Sequence, residues 1–381
     1  MRIGIVCYPT FGGSGVLATE LGKALADKGH SVHFITYQQP VRLNVFNANI
    51  FYHEVRVPTY PLFDYPPYEV ALASTMVDII MNHDLDLLHV HYAIPHASAA
   101  YMARKIVEKE GRKIPVITTL HGTDITLVGR DKTYEPVVTF SINESDAITA
   151  VSKNLREETF KSFDITKEIE VIYNFVDVTR FNKKPIDAFK KVIAPNNEKI
   201  LIHASNFRKV KRVGDVIKIF AEVRKNIPSK LLMIGDGPER PVMEELSKEL
   251  NVQDDIRFVG KQEQMEEILL VSDLFLLPSE YESFGLAALE AMAAKVPVIS
   301  TNAGGLPEIN INDETGFTLP VGDVSNMSKY AIELLTDDEM LQRFKNNAYQ
   351  QALRFDLQKI VPLYEKLYSR FCRMDCGESK Q

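Results

Sequence analysis

The sequence predicts an α/β protein built from two doubly wound parallel-sheet domains. Short runs rich in Val, Ile and Leu alternate with amphipathic helical stretches through the whole chain, which is the pattern of βα units whose strands are covered on both faces. The alternation pauses once, at the polar segment Asp177–Glu198 with Lys183, Lys184, Pro185, Pro195, Asn196 and Asn197, and then resumes. At roughly 100–200 residues per domain, 381 residues suit two domains joined by that segment as a linker.

In the first half the expected strands are Ile3–Cys7, Ser31–Ile35, Leu87–His91, Val116–Leu120, Ala147–Val151 and Glu170–Tyr173. Helices are expected at Val16–Lys28, His96–Lys109 and Asn154–Phe163. The second half gives strands at Lys199–His203, Lys230–Ile234, Ile256–Val259, Leu274–Leu277 and Val296–Ser300. Its helices fall at Val213–Asn226, Pro241–Leu250, Gln264–Val271, Gly285–Ala294 and Met327–Leu335. A last helix runs from Leu357 to about Phe371, with Ile360, Leu363, Tyr364, Leu367 and Tyr368 on one face. It either finishes the second domain or crosses back to brace the first. Sheets of this kind bind ligands beyond the carboxyl ends of their strands, so function is expected in a cleft between the domains.

Composition excludes several classes. Residues 1–170 carry 16 basic and 20 acidic side chains and residues 171–381 carry 28 and 31, so neither half has the positive field of a nucleic-acid or anionic-membrane binder. Met1–Cys7 leads straight into a strand without the apolar region of a signal peptide, and no uninterrupted apolar run approaches a membrane span. Cys7, Cys372 and Cys376 are too few for a disulfide framework and fit free thiols in a reducing, cytoplasmic setting.

Two glycine-rich turns follow expected strands. Tyr8-Pro9-Thr10-Phe11-Gly12-Gly13-Ser14-Gly15 opens a helix and offers backbone N–H groups to a phosphate or carboxylate. It lacks the spacing of a nicotinamide-dinucleotide loop or a P-loop; a purely structural turn is the alternative. Ile234-Gly235-Asp236-Gly237-Pro238-Glu239 is the second, with one donor removed by its proline. More informative is Pro278-Ser279-Glu280-Tyr281-Glu282-Ser283-Phe284-Gly285-Leu286-Ala287-Ala288-Leu289-Glu290. With Ser283 as cap of a helix beginning near Phe284, amides around Gly285 and Leu286 face an anion. Glu290 would lie about 12 Å along the axis from Glu282, a spacing that suits a diphosphate flanked by two sugars.

Glu282 and Glu290, with seven residues between them, resemble the Glu-x7-Glu motif of retaining glycosyltransferases of family 4. Gly12-Gly13-Ser14-Gly15, Leu120-His121-Gly122-Thr123-Asp124, Ala150-Val151-Ser152, Tyr173-Asn174-Phe175-Val176-Asp177, Gly235-Asp236-Gly237-Pro238 and Thr301-Asn302-Ala303-Gly304-Gly305-Leu306-Pro307-Glu308 match as well. The resemblance implies the GT-B fold of two facing Rossmann-like domains. Residues 1–175, joined by a C-terminal helix 357–375, would bind the acceptor, and residues 176–356 the UDP-sugar. Within the family, the segments Cys7–Gly15, His89–His96 and Ser205–Arg212 resemble those of enzymes that move N-acetylglucosamine from UDP-GlcNAc to the hydroxyl of L-malate, the first step of bacillithiol biosynthesis.

Carried over position by position, the resemblance makes Glu282 the holder of the donor hexose and Glu290 that of the uridine ribose. Amides at Gly285, Leu286 and Gly15 would receive the diphosphate, with Lys211 as a point charge beside it. Asn206, Gly235, Val259 and Phe284 complete the donor set. Where the family normally has a Gly-Arg pair before the lysine this sequence has Ser205-Asn206, so Arg208 is the expected replacement; Lys209 and Arg212 are expected to be solvated. His121 is expected at the donor sugar and the reacting centre, which makes His121, Lys211 and Glu282 the catalytic candidates.

L-Malate offers two carboxylates and a hydroxyl, so its pocket needs donors; Ser14, Tyr92, Thr119, Lys153 and Asn154 are the candidates. The aromatic stretch Val57–Tyr68, with Tyr60, Phe63, Tyr65 and Tyr68, is expected either to cover the acceptor or to be an ordinary surface loop. His89 and His91 share a strand face near His96, yet no carboxylate or thiol accompanies them, so no metal and no cofactor is expected. No nucleic acid or stable membrane association is expected either, and a homo-oligomer is left open. With no residue placed as a covalent nucleophile, retention implies front-face transfer. The competing readings are a family 4 enzyme acting on a lipid or polysaccharide acceptor, a UDP-sugar 2-epimerase of the same fold, and a non-catalytic sugar-nucleotide sensor.

Overall fold

The computed structural model describes residues 1–372 apart from Phe11, Asn44, Thr59, Tyr60, Leu127, Arg130 and Glu263. Cys376 and the expected helical residues beyond 372 lie outside the described residues. The chain divides into two compact units, Met1–Asn174 together with the C-terminal segment from Leu357, and Phe175–Asp356.

Each unit is built on one parallel sheet. The first contains β1 (Arg2–Val6), β2 (Ser31–Thr36), β3 (Ile50–Glu54), β4 (Leu87–His91), β5 (Val116–Leu120), β6 (Ala147–Ala150) and β7 (Ile169–Val171), in the order β3-β2-β1-β4-β5-β6-β7. The second contains β8 (Lys199–Ala204), β9 (Ser229–Ile234), β10 (Ile256–Gly260), β11 (Leu274–Leu277), β12 (Val298–Thr301) and β13 (Gly316–Leu319), in the order β10-β9-β8-β11-β12-β13. The order reverses at β1/β4 in the first sheet and at β8/β11 in the second. Loops leaving the carboxyl ends of those strands diverge to opposite faces and leave room for a ligand.

The strands form because both sheet faces are covered. Ile3, Ile5 and Val6 of β1 and Leu274, Phe275 and Leu276 of β11 have no exposed surface, and burial of such side chains contributes ~1.5–3 kcal/mol each. Helix Val213–Asn226 turns Val213, Val216, Ile217, Phe220 and Val223 into the second core. Helix Tyr68–His83 does the same in the first with Leu72, Met76, Ile79 and Ile80.

The C-terminal helix Leu357–Ser369 belongs to the first unit. Tyr368 Oη lies 2.7 Å from His89 Nδ1, Lys28 donates to Glu365 at 2.6 Å, and Arg370 pairs with Glu170. Leu363 is 44% exposed, so the buried stripe is Ile360, Val361, Tyr364, Leu367 and Tyr368 rather than the one expected. The segment expected as a bare linker contains a 3₁₀ turn at Val178–Phe181 and a helix at Asp187–Ile193, with Val178, Phe181 and Ile193 buried. Sequence reading also misses β3, β13 and the helices Tyr68–His83, Glu135–Glu144, Leu306–Ile309 and Asp338–Ala352. No helix among the described residues is long and apolar enough to cross a membrane.

Candidate active-site residues

In the second unit the loops after β8, β9 and β11 converge. β8 ends at Ala204, and the next turn is fixed by His203. The buried His203 ring donates from Nδ1 to Leu276 O at 2.8 Å and lies 2.8 Å from Ser205 Oγ through Nε2. Burial lowers its pKa to about 4, so Nε2 is free of a second proton and accepts from Ser205. Ser205 Oγ in turn accepts from Phe207 N at 3.3 Å. Gly235 packs on this turn with φ 115°, and a Cβ there would stand 1.8 Å from Ser205 O; no other residue fits without moving the backbone. Asn206 and Arg208 are exposed beside it.

Lys211 and Glu282 meet across this space. Lys211 Nζ donates to Glu282 Oε1 at 2.7 Å, and Ser279 Oγ donates to the same oxygen at 2.9 Å. The glutamate loop is anchored from behind, where Gly305 N donates to Glu282 O at 2.8 Å and Thr301 Oγ1 to Ser279 O at 2.6 Å. Phe284 is buried and packs edge-on against Phe355 at 5.6 Å. The helix it precedes is Leu286–Ala293, capped by Gly285 at φ 98° with no side-chain cap bond. Ser283 is therefore not the cap, because the left-handed turn that brings Gly285 under Leu306 delays the helix start. Glu282 stands outside the helix, and only the four steps from Leu286 to Glu290, about 6 Å of rise, separate the amides from Glu290. Val259 O accepts from Gln262 at 2.6 Å.

One expectation about this charge run changes. Arg212 is not solvated. It adopts a left-handed backbone, φ 48°, and donates from Nε to the buried Asp215 at 2.6 Å. Lys209 is exposed, in the same 3₁₀ turn as Lys211.

In the first unit the loops after β1, β4 and β5 carry the other candidates. Gly15 closes the first turn of helix Gly13–Asp27, donating to Gly12 O at 3.1 Å. Ser14 Oγ and Tyr92 Oη are 2.6 Å apart. Tyr92 is held at φ 89° and packs on Tyr8 and His121 with centroids 5.2 and 5.1 Å away. Burial raises its pKa, so the phenol is neutral.

His121, at the end of β5, has Nε2 2.8 Å from His91 Nδ1 and is buried. Burial, with His96 adding to it, lowers its pKa to about 3; the ring is uncharged. Asp124 accepts from Gly122 N at 2.9 Å and Ala93 N at 3.0 Å, tying the loops after β4 and β5 together. Burial raises its pKa to about 6 against these backbone bonds.

Thr119 is the acceptor candidate that does not fit. It is fully buried, and Oγ1 lies 2.7 Å from both His89 Nε2 and Thr149 Oγ1. Its even position along β5 turns it to the sheet face covered by the C-terminal helix. Lys153, exposed, and Asn154, half-buried, begin the helix Lys153–Ser162 that Ser152 caps by accepting from Leu155 N at 3.0 Å. His89, His91 and His96 are not a metal triad: His89 bonds Thr119 and Tyr368, His91 bonds His121, and His96 bonds His91 O. In the aromatic stretch Leu62, Phe63 and Tyr65 are exposed, Tyr60 lies outside the described residues, and Tyr68 begins a helix against Tyr37. Sequence reading misses His203, Ser279 and Asp124 as positioning groups. His203 ends an expected strand, and Asp124 and Ser279 stand in the segments quoted above without a role assigned to them.

Sequence comparison carries the same pattern across the chain. The Glycosyltransferase Family 4 profile matches residues 11–180, and that of Glycosyl transferases group 1 matches residues 186–351. The chain is 47% identical over 98% of its length, and 98% of the relative's, to the N-acetyl-alpha-D-glucosaminyl L-malate synthase of Bacillus anthracis. The chain belongs to glycosyltransferase family 4. This glycosyltransferase is also 26% identical, over 94% of its length and 97% of the relative's, to a 2-deoxystreptamine N-acetyl-D-glucosaminyltransferase from Niallia circulans. Its fold is that of the Anabaena protein HepE solved in complex with UDP-glucose (TM-score 0.80, 20% identity, 97% of this chain and 100% of that one). Sucrose-phosphate synthase from Thermosynechococcus elongatus gives a TM-score of 0.81 at 20% identity, covering 97% of this chain and 98% of that one. The enzyme is thus a GT-B transferase with two Rossmann-like units, and it uses a UDP-sugar.

Proposed function

We propose that this glycosyltransferase moves N-acetylglucosamine from UDP-GlcNAc to the hydroxyl of L-malate with retention at the anomeric carbon, opening bacillithiol biosynthesis. The 47% identity over nearly the whole chain to an N-acetyl-alpha-D-glucosaminyl L-malate synthase carries this reading. Donor binding falls to the second unit. Glu290 takes the ribose, Glu282 the hexose, and Lys211 with the amides of Gly285 and Leu286 takes the diphosphate; Asn206, Arg208, Gly235, Val259 and Phe284 shape the rest. Acceptor binding falls to the first unit, through Ser14, Tyr92, Lys153 and Asn154, with the Gly15 turn assigned to the donor diphosphate and His121 to the sugar as a neutral ring.

In the front-face step the bond from the anomeric carbon to the diphosphate oxygen breaks and a bond to the malate oxygen forms on the same face. The malate hydroxyl proton passes to a leaving-group oxygen. Charge builds on the diphosphate as the bond breaks, so a fixed ammonium and oriented amides stabilise the transition state more than the ground state. Lys211 arrives already oriented by Glu282. No metal enters these steps, and we assign the reaction to the cytoplasm. The test is incubation with UDP-GlcNAc and separate acceptors, namely L-malate, other hydroxy acids and a glycolipid, with product mass as the readout. A malate glycoside supports the reading, and a product from the glycolipid alone overturns it.

A further inference from the structure

Outside the transferase residues, three histidines from three elements converge on one point of the first unit. His33 lies in β2 and His53 in β3, and the parallel register sets His33 beside Phe51 and Ile35 beside His53. The two histidines therefore project from the same face, one pleat apart. His83 ends the helix Tyr68–His83. The ring centroids form a near-equilateral triangle, with sides of 5.2 Å (His33–His53), 4.8 Å (His33–His83) and 5.0 Å (His53–His83). One ring nitrogen from each lies within 4.8 Å of the others, and His33 Nδ1 is 2.9 Å from His53 Nε2. His33 is buried, with Phe51 stacked on it at 4.6 Å; His53 is half-buried and His83 exposed.

We propose that His33, His53 and His83 form a binding site for one divalent transition-metal ion of the zinc class, fastening edge strand β3 and the end of helix Tyr68–His83 to β2. Imidazole nitrogens about 2.0–2.1 Å from zinc in tetrahedral geometry lie about 3.4 Å from one another. One pair of nitrogens here is 2.9 Å apart and none of the three is more than 4.8 Å from another, and the exposed His83 ring is the part that adjusts. Burial, reinforced by the neighbouring rings, holds His33 near a pKa of about 4 and lowers His53 as well, so both present the unprotonated form that ligates. Three imidazoles without a carboxylate select zinc, cobalt, nickel or copper over calcium or magnesium. The exposed side supplies the ion's access route and a fourth, solvent-held position. The bound ion stiffens the frame on either side of the aromatic segment between β3 and the helix. Its role is separate from sugar transfer, because none of the three residues belongs to the donor or acceptor set.

The test uses the tag-free, chelator-stripped full-length protein. Titration with Co²⁺, followed by its visible absorption, and with Zn²⁺, followed by calorimetry, is expected to saturate at one ion per chain and to raise the thermal midpoint. His83→Gln, an exposed change that leaves the core untouched, and His53→Gln are each expected to weaken Zn²⁺ binding at least tenfold and to abolish the thermal shift. His30→Gln, outside the cluster, is expected to bind as the parent does. Circular dichroism of the apo His83→Gln protein establishes that it folds. Absence of saturable binding at one ion per chain, or a Zn²⁺ affinity unchanged in His83→Gln, would overturn the proposal.

Discussion

Lys211 Nζ sits 2.7 Å from Glu282 Oε1, and neither side chain is more than one-fifth exposed. The pair joins the 3₁₀ turn after β8 to the loop after β11 inside the second unit. It holds a cation in place before any ligand arrives, so little side-chain entropy remains to be lost when phosphate binds. On the proposed reading Glu282 has two jobs, one toward the sugar and one toward the lysine.

That double role separates the two glutamates. Glu282→Ala is expected to lower turnover strongly while leaving UDP affinity nearly intact, since the hexose assigned to it is not part of UDP. Glu290→Ala is expected to weaken UDP itself. Calorimetric titration of UDP into both variants, beside their turnover, checks this; equal loss of UDP affinity contradicts the assignment.

Lys211→Ala is expected to cost ~10²-fold or more in turnover, because the ammonium acts where charge develops. Arg208→Ala is expected to approach that loss if Arg208 replaces the missing family arginine, and Lys209→Ala to change little. Turnover of the three at saturating acceptor decides it. Arg208 behaving like Lys209 would assign the clamp to Asn206 and backbone amides.

Gly235→Ala tests the turn that carries these groups. At φ 115°, with Ser205 O 1.8 Å from the new Cβ, the substitution must shift the Ser205–Phe207 turn, at a cost of ~1–3 kcal/mol for strain of this kind. A lowered thermal midpoint and weakened UDP binding together are expected. Wild-type values for both would show that the turn has slack.

The histidines of the first unit give a pH dependence with a definite sign. Burial is the largest cause lowering His89 to about 3, His96 to about 4 and His121 to about 3, and it lowers His91 as well, all from 6.5. Unfolded chains take up these protons first, so stability is full above pH 6.5 and falls as pH drops toward 3–4. Asp124, raised from 3.8 to about 6, works against this, since its contribution is present below 3.8 and lost as pH rises through 6. Several histidines outweigh one carboxyl. Urea midpoints followed by circular dichroism between pH 7.5 and 4.5 are expected to fall with acid, and a flat profile contradicts the burial of these rings.

Much of this was legible in the sequence because buried parallel strands need continuous apolar runs. Leu87–His91, Val116–Leu120 and Leu274–Leu277 match their predicted limits residue for residue. β3 escaped because it is an edge strand: Ile50 is its one buried aliphatic residue, Phe51 is 40% exposed and the other three are polar or aromatic, leaving no apolar run to read. The residues proposed for the donor stand in a recognisable motif, whereas the groups that support them are harder to read. His203 and Ser279 act through hydrogen bonds to residues near and far in the chain, and no local pattern marks them. Thr119 shows the reverse failure, since its place in β5 was right but the face it points to depends on register.

Chelation bears on the chemistry separately from the three-histidine site. Transfer is expected to proceed unchanged in EDTA, since the proposed mechanism neutralises the leaving group with Lys211 and backbone amides. Activity lost in EDTA and restored by Mg²⁺ or Mn²⁺ would contradict this.

The proton spectrum of the product formed from UDP-GlcNAc and L-malate tests the central claim most directly. The expected result is an N-acetylglucosaminyl malate whose anomeric proton shows the small coupling of an α-linkage, released with one UDP. A β-linked product, or hydrolysis to free sugar with no malate glycoside, would contradict it.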